Sequence, residues 1–337
     1  MFEKCTTRCP RYPAHRGLPS RVFAAALLLV LAHLFLQVDR ALAQASVPAA
    51  SNPVPLDRAL ALSEAGAQTE AEGILVEYIS KDARSQPAHA LLGLVKYREG
   101  LPGKSLDEYS LAAKSGTLNA DDLRIVALDY VLLHDLPAAE RWLKASIALN
   151  ATDWRAWRYL GGVQYSEEHP VEAANAFEQC LRLNPENALA EDGLARAHEA
   201  VGETEKAGEE YRLAVLYDGL SATPSSLPLM HYGNYLLMTK SHLTEAIGYL
   251  KQAEQLDNSD WEVHAALGKA NEDGGDLKAA QEEYQTSIAL APDRMRLHFL
   301  LARVYRQEGQ KEKAAAEIKL YQDFASKNSG NRDLLDK

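Results

Sequence analysis

The sequence predicts an all-α chain, a right-handed α-solenoid of about eight stacked helix pairs, and three observations carry that reading. Two stretches share one layout: WRYLGGVQYSEEHPVEAANAFEQCLRLNPEN at 157–187 and HAALGKANEDGGDLKAAQEEYQTSIALAPDR at 264–294. Each has a small residue early in one helix, a Gly or polar turn, an Ala-rich second helix and a Pro near its end. The composition, 47% apolar and 25% charged, is that of a soluble packed chain without collagen-like or disordered bias.

The first element is an export signal. Lys4, Arg8, Arg11, Arg16 and Arg21 precede an apolar stretch from Val22 to Leu36, and Ala41-Leu42-Ala43 offers a small-x-small cleavage site before Gln44. The apolar run falls short of the roughly 20 residues of a comfortable membrane span. The chain is therefore expected to be exported, periplasmic or secreted, with residues 1–43 removed. The alternative is an inner-membrane anchor, so a membrane is a partner only if this segment is retained. Six of the 36 basic and two of the 47 acidic residues lie in 1–43, so the formal charge moves from −11 to −15 on cleavage. That balance argues against nucleic acid as a partner, because a phosphate-binding surface needs a basic face. Cys5 and Cys9 leave with the signal, and the remaining Cys180 makes no intramolecular disulfide.

The two stretches resemble the tetratricopeptide repeat, whose period is 34 residues. After a linker at 44–51, counting that period places repeats at 52–85, 86–119, 120–153, 154–187 and 188–221. An inserted ATPSS (222–226) follows, then repeats at 227–260, 261–294 and 295–328, and a tail at 329–337. The columns of this register are steric. Position 20 of each repeat, where the second helix approaches the first, holds Ala71, Ser105, Ala139, Ala173, Ala207, Ala246, Ala280 and Ala314. Position 8 on the first helix holds Ala59, Gly93, Ala127, Gly161, Ala195, Asn234, Gly268 and Ala302. Position 24 is large: Leu75, Tyr109, Leu143, Phe177, Tyr211, Leu250, Tyr284 and Ile318. Helix axes about 8–10 Å apart need small side chains at the crossing and large ones beside it. No repeat buries its apolar faces alone, so neighbours stack into one continuous core.

Some positions depart from the pattern. Repeat 1 carries Pro53, Pro55 and Arg58, the last in a core column, and is expected to be the weakest unit. Repeat 6 has Gly233 and Asn234 where a large apolar and a small residue belong. Repeat 8 ends in the polar KEKAAAEIKLYQDFASKN, suited to a solvated cap.

The repeats leave no stretch of these 337 residues for a separate catalytic domain. A hydrolase elbow, a phosphate-binding glycine loop, a dinucleotide fingerprint and HExxH are all absent. The expectation is a non-catalytic chain with no cofactor and no metal. His89, His264 and His298 share repeat position 4, but whole repeats separate them, too far to share one ion at roughly 2 Å. Cys180 falls in a small-residue column, where a free thiol behaves as a small hydrophobe.

What the resemblance implies about function lies on the first helices, whose positions 2, 5, 9 and 12 line the concave face in this family. Here they give Asp121, Arg124, Leu128 and Val131, then Arg155, Arg158 and Tyr165 with Tyr159 beside them, then Arg196. Repeat 6 adds His231, Tyr235 and Met238, with Tyr232 beside them. The groove is rich in Tyr and Arg in an acidic protein, and these residue types dominate binding hot spots. A partner protein or peptide with acidic groups is expected, bound across repeats 3–6 and anchored by Arg158. The Lys–Asn carboxylate clamp of chaperone-binding relatives does not appear in the expected columns.

Overall fold

The computed structural model describes residues 55–240 and 242–327. The export signal, the linker and the tail expected from sequence lie outside the described residues. The chain divides at Arg58 into two units, Met1–Arg58 and Ala59–Lys337. Only residues 55–58 of the first are described, with Arg58 exposed rather than in a core column. The core and the clefts belong to the second unit.

The described residues form sixteen helices and no strand. They run as pairs: α1 (Pro55–Glu64) with α2 (Gln68–Lys81), α3 (Gln86–Arg98) with α4 (Pro102–Ser115), α5 (Ala120–Leu132) with α6 (Leu136–Leu149), and α7 (Trp154–Ser166) with α8 (Pro170–Leu183). The next are α9 (Ala188–Ala200) with α10 (Thr204–Gly219), α11 (Ser226–Met238) with α12 (Leu243–Leu256), α13 (Trp261–Asp273) with α14 (Leu277–Leu290), and α15 (Met295–Gln307) with α16 (Lys311–Lys327). Among the described residues no helix is long and apolar enough to cross a membrane.

Local chemistry sets these boundaries. Side chains of Asn119, Asp135, Asp153, Asn187, Asp260 and Asp276 each accept a hydrogen bond from a backbone N–H in the first turn of the helix they precede. Within each pair the chain reverses through a residue of positive φ. Gly66, Gly100, Gly202, Gly275 and Gly309 supply five of these, whereas His134, Glu168 and Lys240 adopt the same conformation with φ of 59°, 63° and 53°. Each of these three side chains works against its backbone.

The core is built as the columns require. All eight residues at position 20 are buried, seven of them with no accessible surface. Position 8 meets position 24: a Cβ on Gly93 would fall 2.8 Å from Tyr109, on Gly161 2.9 Å from Phe177, and on Gly268 2.7 Å from Tyr284. Phe177 is also held from the next repeat, since a Cβ on Gly193 would lie 2.3 Å from its ring. Ser146 and Ser287, at position 27, donate to the carbonyls of Ala120 and Trp261 at 2.7 and 2.8 Å, tying the second helix to the start of the first.

Repeat 6 departs from the expected register. Gly233, not Asn234, occupies the crossing: it is buried, its Cβ would fall 2.7 Å from Leu250 Cγ, and Asn234 is exposed. Helix α11 begins at Ser226, one residue earlier than counted, and four residues rather than three separate it from α12. The connection before α11 is held by buried Asp218, whose two oxygens each accept the Ser225 N–H at 3.0 Å.

Polar contacts join successive repeats. Lys96 bridges Glu72 at 2.5 Å and Glu99 at 3.0 Å. Glu272 receives Arg303 Nε and Nη2, both at 2.6 Å, and Gln307 at 2.7 Å. Burial pushes the Cys180 thiol up to about 11, so it packs as an inert small group.

Candidate functional site

First helices contact the first helix of the next pair at α3–α5, α7–α9, α9–α11 and α11–α13, forming a layer that the second helices do not share. A cleft of about 470 Å³ opens on this layer. It is lined by Leu128 and Val131 of α5, Leu136 of α6, Arg158, Tyr159, Gly162, Val163 and Ser166 of α7, Phe177 of α8, Leu189, Asp192, Gly193 and Arg196 of α9, Leu227 and His231 of α11, and Glu262 of α13. An adjoining cleft of about 440 Å³ shares Arg196 and His231 and adds Tyr165, Glu199 and Met238. The two clefts run across repeats 3–6 and reach Glu262 at the start of repeat 7.

Two of the sequence-expected cations are poised here. The Arg158 guanidinium lies 4.4 Å over the Tyr159 ring, and that of Arg196 lies 4.4 Å over Tyr165 of the preceding repeat. Stacking on an aromatic face fixes a guanidinium while leaving its N–H edges free to bond an anion. Neither pairs with a carboxylate among the described residues. His231 instead hydrogen-bonds buried Asp192 through Nδ1 at 2.8 Å in the wall of the cleft.

The remaining expected residues are placed elsewhere. Arg124 is spent internally, because its Nε donates to Asp153 at 2.8 Å and its Nη2 to Asp121 at 2.5 Å. Arg155 is exposed, over the Trp154 ring at 4.5 Å, outside both clefts. Tyr232 is buried in the apolar cluster between repeats 5 and 6, its ring 4.9 Å from that of Tyr249. Tyr235 lies against α10, donating to the Thr204 carbonyl at 3.2 Å, with its ring 5.5 Å from that of Tyr211. Both tyrosines turn inward because α11 sits one residue out of the counted register. Asp192, Gly162 and Leu189 line the cleft although they were not among the residues expected there. They occupy positions 5, 9 and 2 of their repeats, so the same columns contained the signal.

The histidines of position 4 have a structural partner. His89, His264 and His298 each bond through Nδ1 a glutamate at position 23 of the same repeat: Glu108 at 2.6 Å, Glu283 at 2.8 Å and Glu317 at 2.6 Å. Repeat 5 carries Glu191 at position 4, opposite Glu210. Burial and then the Glu210 charge push the Glu191 carboxyl up to about 7. Glu210 in turn bonds His198 at 2.8 Å.

A tetratricopeptide repeat family model matches residues 167–225 and 265–329. No curated protein matches the chain by sequence. Among solved structures, a chain of the Cut9–Hcn1 hetero-tetramer of APC/C is similar, with 17% identity and a TM-score of 0.63. The match covers 89% of this chain and 58% of that one, so this chain spans little more than half of it. PilF of Pseudomonas aeruginosa is 22% identical with a TM-score of 0.53, over 62% of this chain and 93% of its own. PilW, described as a type IV pilus biogenesis factor, is 15% identical with a TM-score of 0.54, over 64% of this chain and 96% of its own. At these identities the likeness is one of fold.

Proposed function

We propose, for a chain that is a tetratricopeptide repeat protein, a role as an exported, non-catalytic scaffold holding an acidic or C-terminal segment of a partner protein across repeats 3–6. The observation carrying this reading is the pair Arg158 and Arg196. Each is preorganised on a tyrosine, neither is neutralised by a carboxylate, and both open onto one cleft. A partner carboxylate entering there gains charge-assisted hydrogen bonds without displacing an internal one. Leu128, Leu189 and Leu227 supply apolar contact around the cations. Capture of partners on the immobilised protein, repeated with Arg158→Glu, tests the reading: the partner is lost on the variant, and equal capture by both overturns it.

Export rests on the order of basic, apolar and small residues in 1–43. A second reading keeps the apolar segment 22–36 as an anchor and makes the chain an assembly factor of an envelope or pilus-type machine. The pilus-related names PilF and PilW agree with it at the level of fold alone. N-terminal sequencing separates the two: a chain starting at Gln44 supports cleavage, and an intact N-terminus in the membrane fraction supports the anchor.

A further inference from the structure

We propose that Glu254, His264 and Glu283 form a binding site for a divalent transition-metal cation of the zinc class, joining repeat 6 to repeat 7. They come from three successive helices, α12, α13 and α14, and their ligand atoms all lie within 4.8 Å of one another. An imidazole nitrogen with two carboxylates is an N/O donor set of the kind zinc takes, with water completing four-coordination. Metal–ligand bonds of about 2.0–2.1 Å place ligand atoms roughly 3.3 Å apart, so the two glutamates close on the ion by small torsional changes of long side chains.

The second coordination shell is in place. His264 is buried, and its Nε2 lies 3.1 Å from the Asn258 carbonyl. With the ring proton on Nε2 and donated to that carbonyl, Nδ1 presents its lone pair toward Glu283 at 2.8 Å. An ordinary His–Glu bridge leaves one feature unexplained, which is Glu254. It makes no hydrogen bond or ion pair among the described residues, yet its carboxylate stands within 4.8 Å of the ligand atoms of both His264 and Glu283. A divalent cation balances the two carboxylates together.

The repeats themselves supply the control. His89–Glu108 reproduces the arrangement, including an Nε2 contact to a backbone carbonyl at 3.3 Å, and His298–Glu317 reproduces its Nδ1 bond. At the position that Glu254 holds in the preceding repeat, those two have Ile79 and Ile288. The bridge is thus a device of the repeat, and the third ligand belongs to this one site. Spacing among the three histidines gave no hint of it, because the ligands of one ion come from neighbouring columns.

The test is calorimetric titration of zinc chloride into the tag-free full chain, carrying Cys5→Ser and Cys9→Ser to remove the N-terminal thiols. One saturable equivalent is expected. Glu254→Ile, which installs the residue found beside the other two bridges, weakens it by about 10- to 100-fold or more, and Glu254→Gln weakens it likewise. His298→Ala leaves the affinity unchanged. Cobalt chloride in place of zinc gives the visible absorption of a tetrahedral N/O site, which neither Glu254 variant shows. Absence of saturable zinc binding, or equal binding by wild type and the folded Glu254 variants, overturns the proposal.

Discussion

Two glycines one helix apart test the packing logic by opposite signs. Gly193 of α9 faces Phe177, and an added Cβ falls 2.3, 2.5 and 2.7 Å from three atoms of that ring. Carbon atoms rest at about 3.5–4.0 Å, so the ring must retreat by more than about 1 Å. It has nowhere to go, because on its other side it lies 2.9 Å from where a Gly161 Cβ would stand. Overpacking of this kind costs about 1–3 kcal/mol, and a clash this close belongs near the upper end. Alanine in a helix recovers about 1 kcal/mol of propensity. Gly193→Ala is therefore destabilising by about 2 kcal/mol net. Gly162, in contrast, is exposed on α7 with nothing within 4 Å of an added Cβ. Gly162→Ala keeps the propensity gain alone and stabilises by about 0.5–1 kcal/mol. Urea unfolding followed by far-UV circular dichroism measures both, comparing midpoints at unchanged slope because a stacked array can lose two-state behaviour. A Gly193→Ala midpoint at or above wild type, or a Gly162→Ala midpoint as low as that of Gly193→Ala, refutes the reasoning.

Two further outcomes are expected from the same contacts. Glu168→Gly, which relieves a positive φ of 63° on an exposed turn, stabilises by about 1 kcal/mol, and a lower unfolding midpoint contradicts this. Stability also falls with rising pH between about pH 4 and pH 7 through two buried acids. Asp129 has neither oxygen hydrogen-bonded and is pushed up to about 7 by burial; Glu191 reaches about 7 by burial beside Glu210. The unfolded chain releases these protons first, so the folded state loses relative stability until both have ionised. Asp129→Asn flattens that slope in urea titrations at the two ends of the window, and an unchanged slope contradicts the assignment.

Much of the fold was legible because the repeat imposes a steric rule on single columns. Ala139 and Leu143, each with no accessible surface, are forced by a helix crossing whatever the partner residues are. The register of α11 was hidden for an equally physical reason. Five extra residues are divided, four before α11 and one in the turn after it, and counting along the chain sees only their total. That one-residue shift carried Tyr232 from the expected groove into the core. Arg158 and Arg196 were visible as groove cations, but the fate of Arg124 was not. Its partner Asp153 lies 29 residues away, at the junction with the next repeat. The same blindness hid the Glu254–His264–Glu283 cluster, which becomes visible only when columns of adjacent repeats are read side by side.

If the layer of first helices in repeats 3–6 holds a partner, a crosslinker placed there must reach it. A photo-crosslinking side chain in place of Gly162 stands in the cleft between Arg158 and Ser166, and one in place of exposed Val171 stands on the second helix of the same repeat. A covalent adduct with one partner protein is expected from position 162, reduced by Arg158→Glu in the same chain, and none from position 171. Adducts from position 171 alone, or a 162 adduct indifferent to Arg158→Glu, would contradict binding in this cleft.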